Sequence, residues 1–220
     1  MKRWIAMLLA WSMALSLAAC TKPQEKGKET VSEADAAQET TTEAEEPAAY
    51  YPVTVTDQAG REVVIEEEPQ KLVSGYYIST SLMIALELDD KLVGIEAKAD
   101  KRPIYSLAAP ELLELPNVGS AKEFDLEGCA ALQPDLVVLP LKLKDAAQTL
   151  EELGIHVLLV NPKDQQQLTE MIELIAKATN TQKRAQQLLD FTEAQQKELE
   201  TMLAGAPTPT VYLAGNSDLL

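Results

Sequence analysis

Apolar and polar positions alternate in three distinct ways along the chain, and each change of pattern marks a different kind of segment. Trp4 to Leu17 is almost entirely apolar and follows Lys2 and Arg3. The run falls short of the ~20 residues that a membrane-spanning helix needs, and a polar tract begins soon after it. With Ala18 and Ala19 behind it, it reads as a secretion signal over residues 1 to 19. Residues 21 to 49 are rich in Glu, Thr, Ala, Gln and Lys, have no aromatic residue and carry Val31 as their only large aliphatic. Such a stretch buries too little apolar surface to offset its ordering entropy, so residues 20 to 49 are predicted to form a disordered acidic tether.

From Tyr50 onward the apolar positions become periodic. Val53-Thr54-Val55-Thr56 and Glu62-Val63-Val64-Ile65 flank Asp57-Gln58-Ala59-Gly60, which predicts a β-hairpin. Pro69 ends the second strand or its extension. Short apolar runs then alternate with helical patterns. Strands are predicted at Lys71 to Ser74, Leu92 to Glu96, Asp135 to Leu139 and Ile155 to Val160. Helices are predicted at Ser79 to Leu88, Asp125 to Leu132 with Asp125 as its cap, and Asp145 to Leu153, stopped by Gly154. Gln165 to Ala178 carries Leu168, Met171, Ile172, Ile175 and Ala176 at helical spacing. A long charged helix follows from Gln182 to Leu203, with Thr181 as its cap, and Thr210 to Ala214 reads as one more strand. Strand-helix alternation with continuously apolar strands predicts an α/β fold: a mainly parallel sheet flanked by helices, preceded by the hairpin. A last strand with nothing after it would leave an unpaired edge, so a second domain is expected to begin near Thr208.

Charge narrows the partners. The chain has 35 Asp plus Glu against 19 Lys plus Arg, and removing residues 1 to 19 takes away two bases and no acid. Phosphate backbones are met by basic patches, which excludes nucleic acid as an expected partner. A polybasic membrane patch is excluded for the same reason, so membrane attachment has to come through a lipid. Leu17-Ala18-Ala19-Cys20 supplies the place for one: it resembles the bacterial lipobox, in which the thiol forms a thioether to lipid. Cys20 is therefore the expected lipidation site, and the protein is expected on the extracytoplasmic face of the cell membrane. Cys129 then has no partner and reads as a small buried hydrophobe. His156 is the only histidine, which leaves no His/Cys cluster for a resident metal. No nucleophile elbow, phosphate-binding glycine loop or nucleophile-histidine pairing is present, so no catalytic residue, no enzyme activity and no cofactor is expected.

Four stretches, in this order, resemble the class III periplasmic-type binding proteins of ABC importers, which carry iron-siderophores, haem or cobalamin. They are Thr56-Asp57-Gln58-Ala59-Gly60-Arg61-Glu62-Val63; Lys91-Leu92-Val93-Gly94-Ile95; Asn117-Val118-Gly119 followed by Leu126-Glu127; and Ala131-Leu132-Gln133-Pro134-Asp135-Leu136-Val137. The chain departs from the family pattern where Thr80 is followed by Ser81 rather than by glutamate, and where the second lobe is missing beyond its first strand. The resemblance implies an N-terminal α/β lobe over 50–180, a connecting helix over 181–204 and the start of a C-terminal lobe over 205–220. It implies a ferric siderophore as ligand, with haem and cobalamin as alternatives, and an ABC permease with its ATPase as partners. It also implies that Glu127 docks into arginines on the permease. The ligand face of such a sheet lies at the carboxyl ends of its strands. That places Tyr76 and Tyr77 after the first strand, Lys98, Arg102 and Tyr105 after the second, Lys122 after the valine-glycine step and Lys142 after the proline-aspartate strand. The tyrosines are expected to stack on a flat ligand and the cations to meet its negative charge. A sensor or adhesion lipoprotein with the same lobe and no importer is the alternative reading.

Overall fold

The computed structural model describes residues 49–212. The signal, Cys20, almost all of the tether and the last residues of the expected C-terminal strand lie outside the described residues.

The hairpin is formed by β1 (Val53–Thr56) and β2 (Glu62–Ile65), paired antiparallel with Val53 opposite Ile65. Val53, Val55, Val63 and Ile65 face inward while Thr54, Thr56, Glu62 and Val64 face out, the period-two pattern of a half-buried ribbon. The main sheet holds β3 (Leu72–Ser74), β4 (Leu92–Ile95), β5 (Leu136–Pro140) and β6 (His156–Val160), all parallel, in the order β4-β3-β5-β6. The central strands β3 and β5 are buried along their whole length, which is why they read as unbroken apolar runs.

Helices cover both faces, and successive strand residues alternate between them. Leu72, Leu92, Leu136, Val138, Leu158 and Val160 pack with α1 (Tyr77–Ala85), α2 (Pro103–Ala108), α5 (Gln165–Thr179) and the hairpin. Val73, Val137, Leu139, Val157 and Leu159 pack with α3 (Leu126–Ala131) and α4 (Lys144–Glu152). Each large aliphatic so buried contributes about 1.5–3 kcal/mol, so these two layers supply most of the drive to fold.

The hairpin also protects an edge. β6 is the last strand of the sheet, and its outer backbone would otherwise be open to another chain. Instead, Leu159 N–H donates to Asp57 Oδ2 at 3.0 Å, Gln58 N–H donates to the Leu159 carbonyl at 3.0 Å, and Arg61 Nη2 donates to the Val157 carbonyl at 3.0 Å. The buried Asp57 carboxylate also receives Ala59 N–H, Arg61 N–H and the Arg61 guanidinium. The Thr-Asp…Gly-Arg stretch is thus a clasp that folds the hairpin tip onto the sheet edge.

Several expected boundaries shift. α1 begins at Tyr77, two residues early, and has no side-chain cap. The region after β4, expected as loop, contains a 3-10 turn at Ala99–Lys101, α2 with Pro103 at its start, and a second 3-10 turn at Pro110–Glu114. Asp164 caps α5 by accepting from Gln167 N–H at 2.8 Å. Thr181 does not cap α6 (Gln182–Met202): its hydroxyl lies 3.0 Å from that of Thr179 instead. Thr210 to Tyr212 has no regular structure. α6 packs only through its first turns, with Ala185 buried and Leu188 and Leu189 against the core. From Phe191 onward it is exposed, including Leu199, Met202 and Leu203. No helix among the described residues is long and apolar enough to cross a membrane.

Candidate functional site

β3 is followed in sequence by its neighbour β4 on one side, whereas β5 lies on the other. The chain therefore reverses its direction of sheet growth at β3, and the crevice at such a switch point, beyond the carboxyl ends of the strands, is where open α/β sheets hold ligands. The turn from β3 into α1 carries Tyr76, with Tyr77 opening the helix, and lies between the loop after β4 and the loop after β5. Gly75 N–H donates to the Val138 carbonyl at 2.9 Å and ties this turn to β5.

Beneath this turn is a buried polar cluster. Glu96, the first residue after β4, is 5% exposed. Thr80 donates to its Oε2 at 2.6 Å, Tyr105 donates to its Oε1 at 2.7 Å, and Arg102 Nε donates to Oε1 at 3.2 Å. Ser74 and Ser79 extend the cluster: their hydroxyls are 2.7 Å apart, the Ser74 and Thr80 hydroxyls are also 2.7 Å apart, and Ser79 donates to the Tyr76 carbonyl at 2.7 Å. A carboxylate taken out of water costs several kcal/mol unless its oxygens are met, and here donors from α1, α2 and the segment before α2 meet them. Among the described residues no buried side-chain nitrogen or oxygen lacks a partner.

Above the cluster the Arg102 guanidinium lies 4.0 Å from the centroid of the Tyr77 ring, a cation-π contact. Tyr76 and Tyr77 meet edge to face at 5.1 Å. Tyr77 is 42% exposed and the Arg102 side chain 33%. Nη1 and Nη2 of Arg102 have no partner among the described residues. Burial, and then the Tyr77 phenol beside it, holds the Tyr76 hydroxyl above its ordinary pKa.

The loop beyond β4 is joined to the valine-glycine loop. Ala97 N–H donates to the Gly119 carbonyl at 2.7 Å, and Val118 N–H to the Ile95 carbonyl at 2.8 Å. Gly119 has φ +85°, and a Cβ there would meet the Glu123 carbonyl oxygen at 2.1 Å, so the close turn requires glycine. Lys98, in the left-handed region at φ 68°, and Lys122 are exposed on these adjoining loops, and Lys142 is exposed in the 3-10 turn Leu141–Leu143 after β5.

Tyr105 departs from expectation. It is 0% exposed and cannot stack on a ligand, because it sits on α2 with its ring in the core and its hydroxyl on Glu96. Burial foremost, and Glu96 beside it, push its pKa well up. Tyr77 is also changed: Arg102 occupies one face of its ring. The residues that sequence reasoning missed are Glu96, Thr80 and Ser74; their one signal was that each is a polar residue at a position where the strand or helix pattern demands burial.

Glu127 is exposed in the first turn of α3, whose cap is Asp125 accepting from Gly128 N–H at 2.8 Å. A Cβ at position 128 would lie 2.2 Å from Asp125 Oδ2, so this cap depends on glycine. Because α3 starts after the Val118–Gly119 step, Glu127 stands at the same end of the sheet as Tyr77 and Arg102. Elsewhere, at the amino ends of the strands, a cavity of about 560 Å3 is lined by Glu66, Glu67, Pro69, Lys71, Asp135 and His156. Among the described residues no group of three or more His, Cys, Asp or Glu is placed to hold a metal ion.

Comparison with known proteins agrees with this architecture. The model of a family described as periplasmic binding protein matches residues 72–218. The chain is 30% identical, over 99% of its own length and 67% of the relative's, to YvrC of Bacillus subtilis strain 168, described as an ABC transporter substrate-binding lipoprotein. Among solved structures, a periplasmic solute binding protein from Veillonella parvula DSM 2008 is 25% identical with a TM-score of 0.64, over 71% of this chain and 49% of that one. The molybdate periplasmic binding protein MolA of Haemophilus influenzae is 20% identical with a TM-score of 0.65, over 71% and 55%. The petrobactin-binding protein YclQ of Bacillus subtilis is 18% identical with a TM-score of 0.59, over 69% and 53%, and shares the fold. The chain spans about half the length of these solved structures. With the family match across two-thirds of its length and a relative 30% identical over nearly its whole length, the chain belongs to the periplasmic binding protein family.

Proposed function

We propose that this chain is the N-terminal part of a lipid-anchored, extracytoplasmic substrate-binding component of an ABC importer, and that it captures an anionic ferric-siderophore-type ligand. The observation that carries the reading is Arg102, over the Tyr77 ring at the switch point of the sheet with both terminal nitrogens unpartnered among the described residues. A guanidinium in that state offers a fork for carboxylate or catecholate oxygens. Tyr76 adds aromatic surface beside it, and Lys98, Lys122 and Lys142 add positive charge on the neighbouring loops of an otherwise acidic chain. The ligand is cargo, and no resident cofactor takes part. Haem and cobalamin are the competing cargoes.

The exposed outer half of α6, with Phe191 at 64% exposure, supports its role as the connecting helix against which a second lobe packs. Glu127 then serves as a docking carboxylate for permease arginines, and Cys20 carries the lipid that keeps the protein near its permease and raises its effective concentration there. Tyrosine fluorescence titration with ferric citrate, a ferric tris-catecholate, haemin and cyanocobalamin tests the reading. Saturable binding of a ferric chelate is expected, weak where only this lobe supplies contacts; saturation by none of the four counts against it.

A further inference from the structure

We propose that Glu96 is a positioning residue for ligand recognition, holding Arg102 over the face of Tyr77 so that its terminal nitrogens are presented to an anionic, oxygen-donor ligand. This rests on the ligand-face reading above. The carboxylate is anchored from within by Thr80 at 2.6 Å and Tyr105 at 2.7 Å. Those two donors already satisfy one bond to each oxygen, so a purely structural strut needs no arginine. Yet Arg102 bonds to the same Oε1 through Nε, the one nitrogen whose use leaves the Nη pair open. The guanidinium is thus fixed at one edge by Glu96 and on one face by Tyr77, with a third of the side chain exposed. A fork held in this way loses little rotamer freedom when a ligand arrives, and preorganisation of this sort strengthens binding without adding contacts. The acceptor it fits is a pair of oxygens on one carboxylate or two adjacent catecholate oxygens, met end-on by Nη1 and Nη2.

The test compares wild type, Glu96→Gln, Arg102→Met and the double variant of the chain. Two readouts are used: the Arg102 Nε–H resonance in nitrogen-15 NMR spectra, and the affinity for ferric citrate and for a ferric tris-catecholate. In wild type the Nε–H signal is expected to be displaced by the Tyr77 ring current. In Glu96→Gln it is expected to move to the position of a solvent-exposed arginine, with an affinity loss of about tenfold. In the Arg102→Met background, Glu96→Gln is expected to add no further loss, because Glu96 acts through Arg102. An unmoved signal in Glu96→Gln, or losses that simply add, overturns the inference. If Glu96→Gln does not fold, Thr80→Val removes one of the two inner anchors and is expected to shift the same signal part of the way; no shift overturns the inference. If wild type binds neither chelate while Glu96→Gln still frees Arg102, it is the ligand-face reading that fails and not the geometry of Glu96.

Discussion

Tyr105 and Glu96 meet in the interior, the tyrosine hydroxyl donating to Glu96 Oε1 across 2.7 Å. The same hydroxyl is 3.2 Å from the Tyr77 carbonyl, so one phenol joins α2, the end of β4 and the start of α1. Replacing it by Phe leaves a buried carboxylate short of a donor, which costs about 1–3 kcal/mol. Tyr105→Phe is expected to lower the unfolding free energy by that amount, read as a lower urea midpoint at unchanged slope. The wild type should also lose stability as pH rises from about 10 toward the higher folded pKa of this phenol. The unfolded tyrosine ionises first, so the unfolded state binds fewer protons over that window. Alkaline unfolding curves should therefore be flatter in Tyr105→Phe; an unchanged alkaline limb contradicts the assignment. Tyr51, pushed up to about 12 chiefly by burial, contributes to the remaining slope.

The clasp between Asp57 and β6 makes a second prediction. Asp57→Ala strips acceptors from Leu159 N–H, Ala59 N–H and Arg61 and leaves the Arg61 guanidinium poorly matched. A loss of about 3 kcal/mol is expected, measured by denaturant unfolding. An opened β6 edge should also appear as concentration-dependent association in sedimentation, since an unprotected edge pairs with other chains. Full stability in Asp57→Ala would remove the hairpin's role as an edge cover.

Cys129 is fully buried on α3, and burial together with the nearby Asp125 charge pushes its thiol up to about 11. In a Cys20→Ser background, a thiol reagent at pH 7.5 is expected to leave the folded protein unmodified and to react only at the rate of unfolding. Fast stoichiometric labelling of the folded protein would show that α3 opens locally.

Glu127 is exposed and makes no side-chain contact on which the fold depends among the described residues. On the proposed function, Glu127→Ala is expected to lower ferric-chelate uptake in cells while leaving the unfolding free energy within about 0.5 kcal/mol of wild type and chelate binding intact. Undiminished uptake would end its proposed role as a docking residue.

The four strands of the sheet and the hairpin were legible because β-branched and aliphatic runs stand between glycine, proline and aspartate, whereas the strand expected from Thr210 has no regular structure through Tyr212. Val53–Thr56 and Glu62–Ile65 are found at the residues expected. The region from Glu96 to Leu115 was not legible. Arg102-Pro103 reads as the break of a loop, yet Pro103 starts a helix, and only that helix turns Tyr105 inward. Glu96 was obscure for a related reason: an acidic residue at the end of an apolar strand looks like its exit into solvent. Its burial depends on Thr80, Arg102 and Tyr105, which come from sequence-distant elements. Of the site, the strand-end loops could be read from topology, whereas the stacking of Arg102 on Tyr77 is a tertiary relationship that no local pattern encodes.

The central claim is that ligand binds at the carboxyl edge of the sheet. Hydrogen-deuterium exchange with and without saturating ferric chelate tests it most directly. The account predicts slowed exchange in residues 75–81 and 96–105, with residues 66–71 and 154–156 around the amino-edge cavity unchanged. Protection confined to the amino-edge cavity, with no change at 75–81 and 96–105, would contradict it.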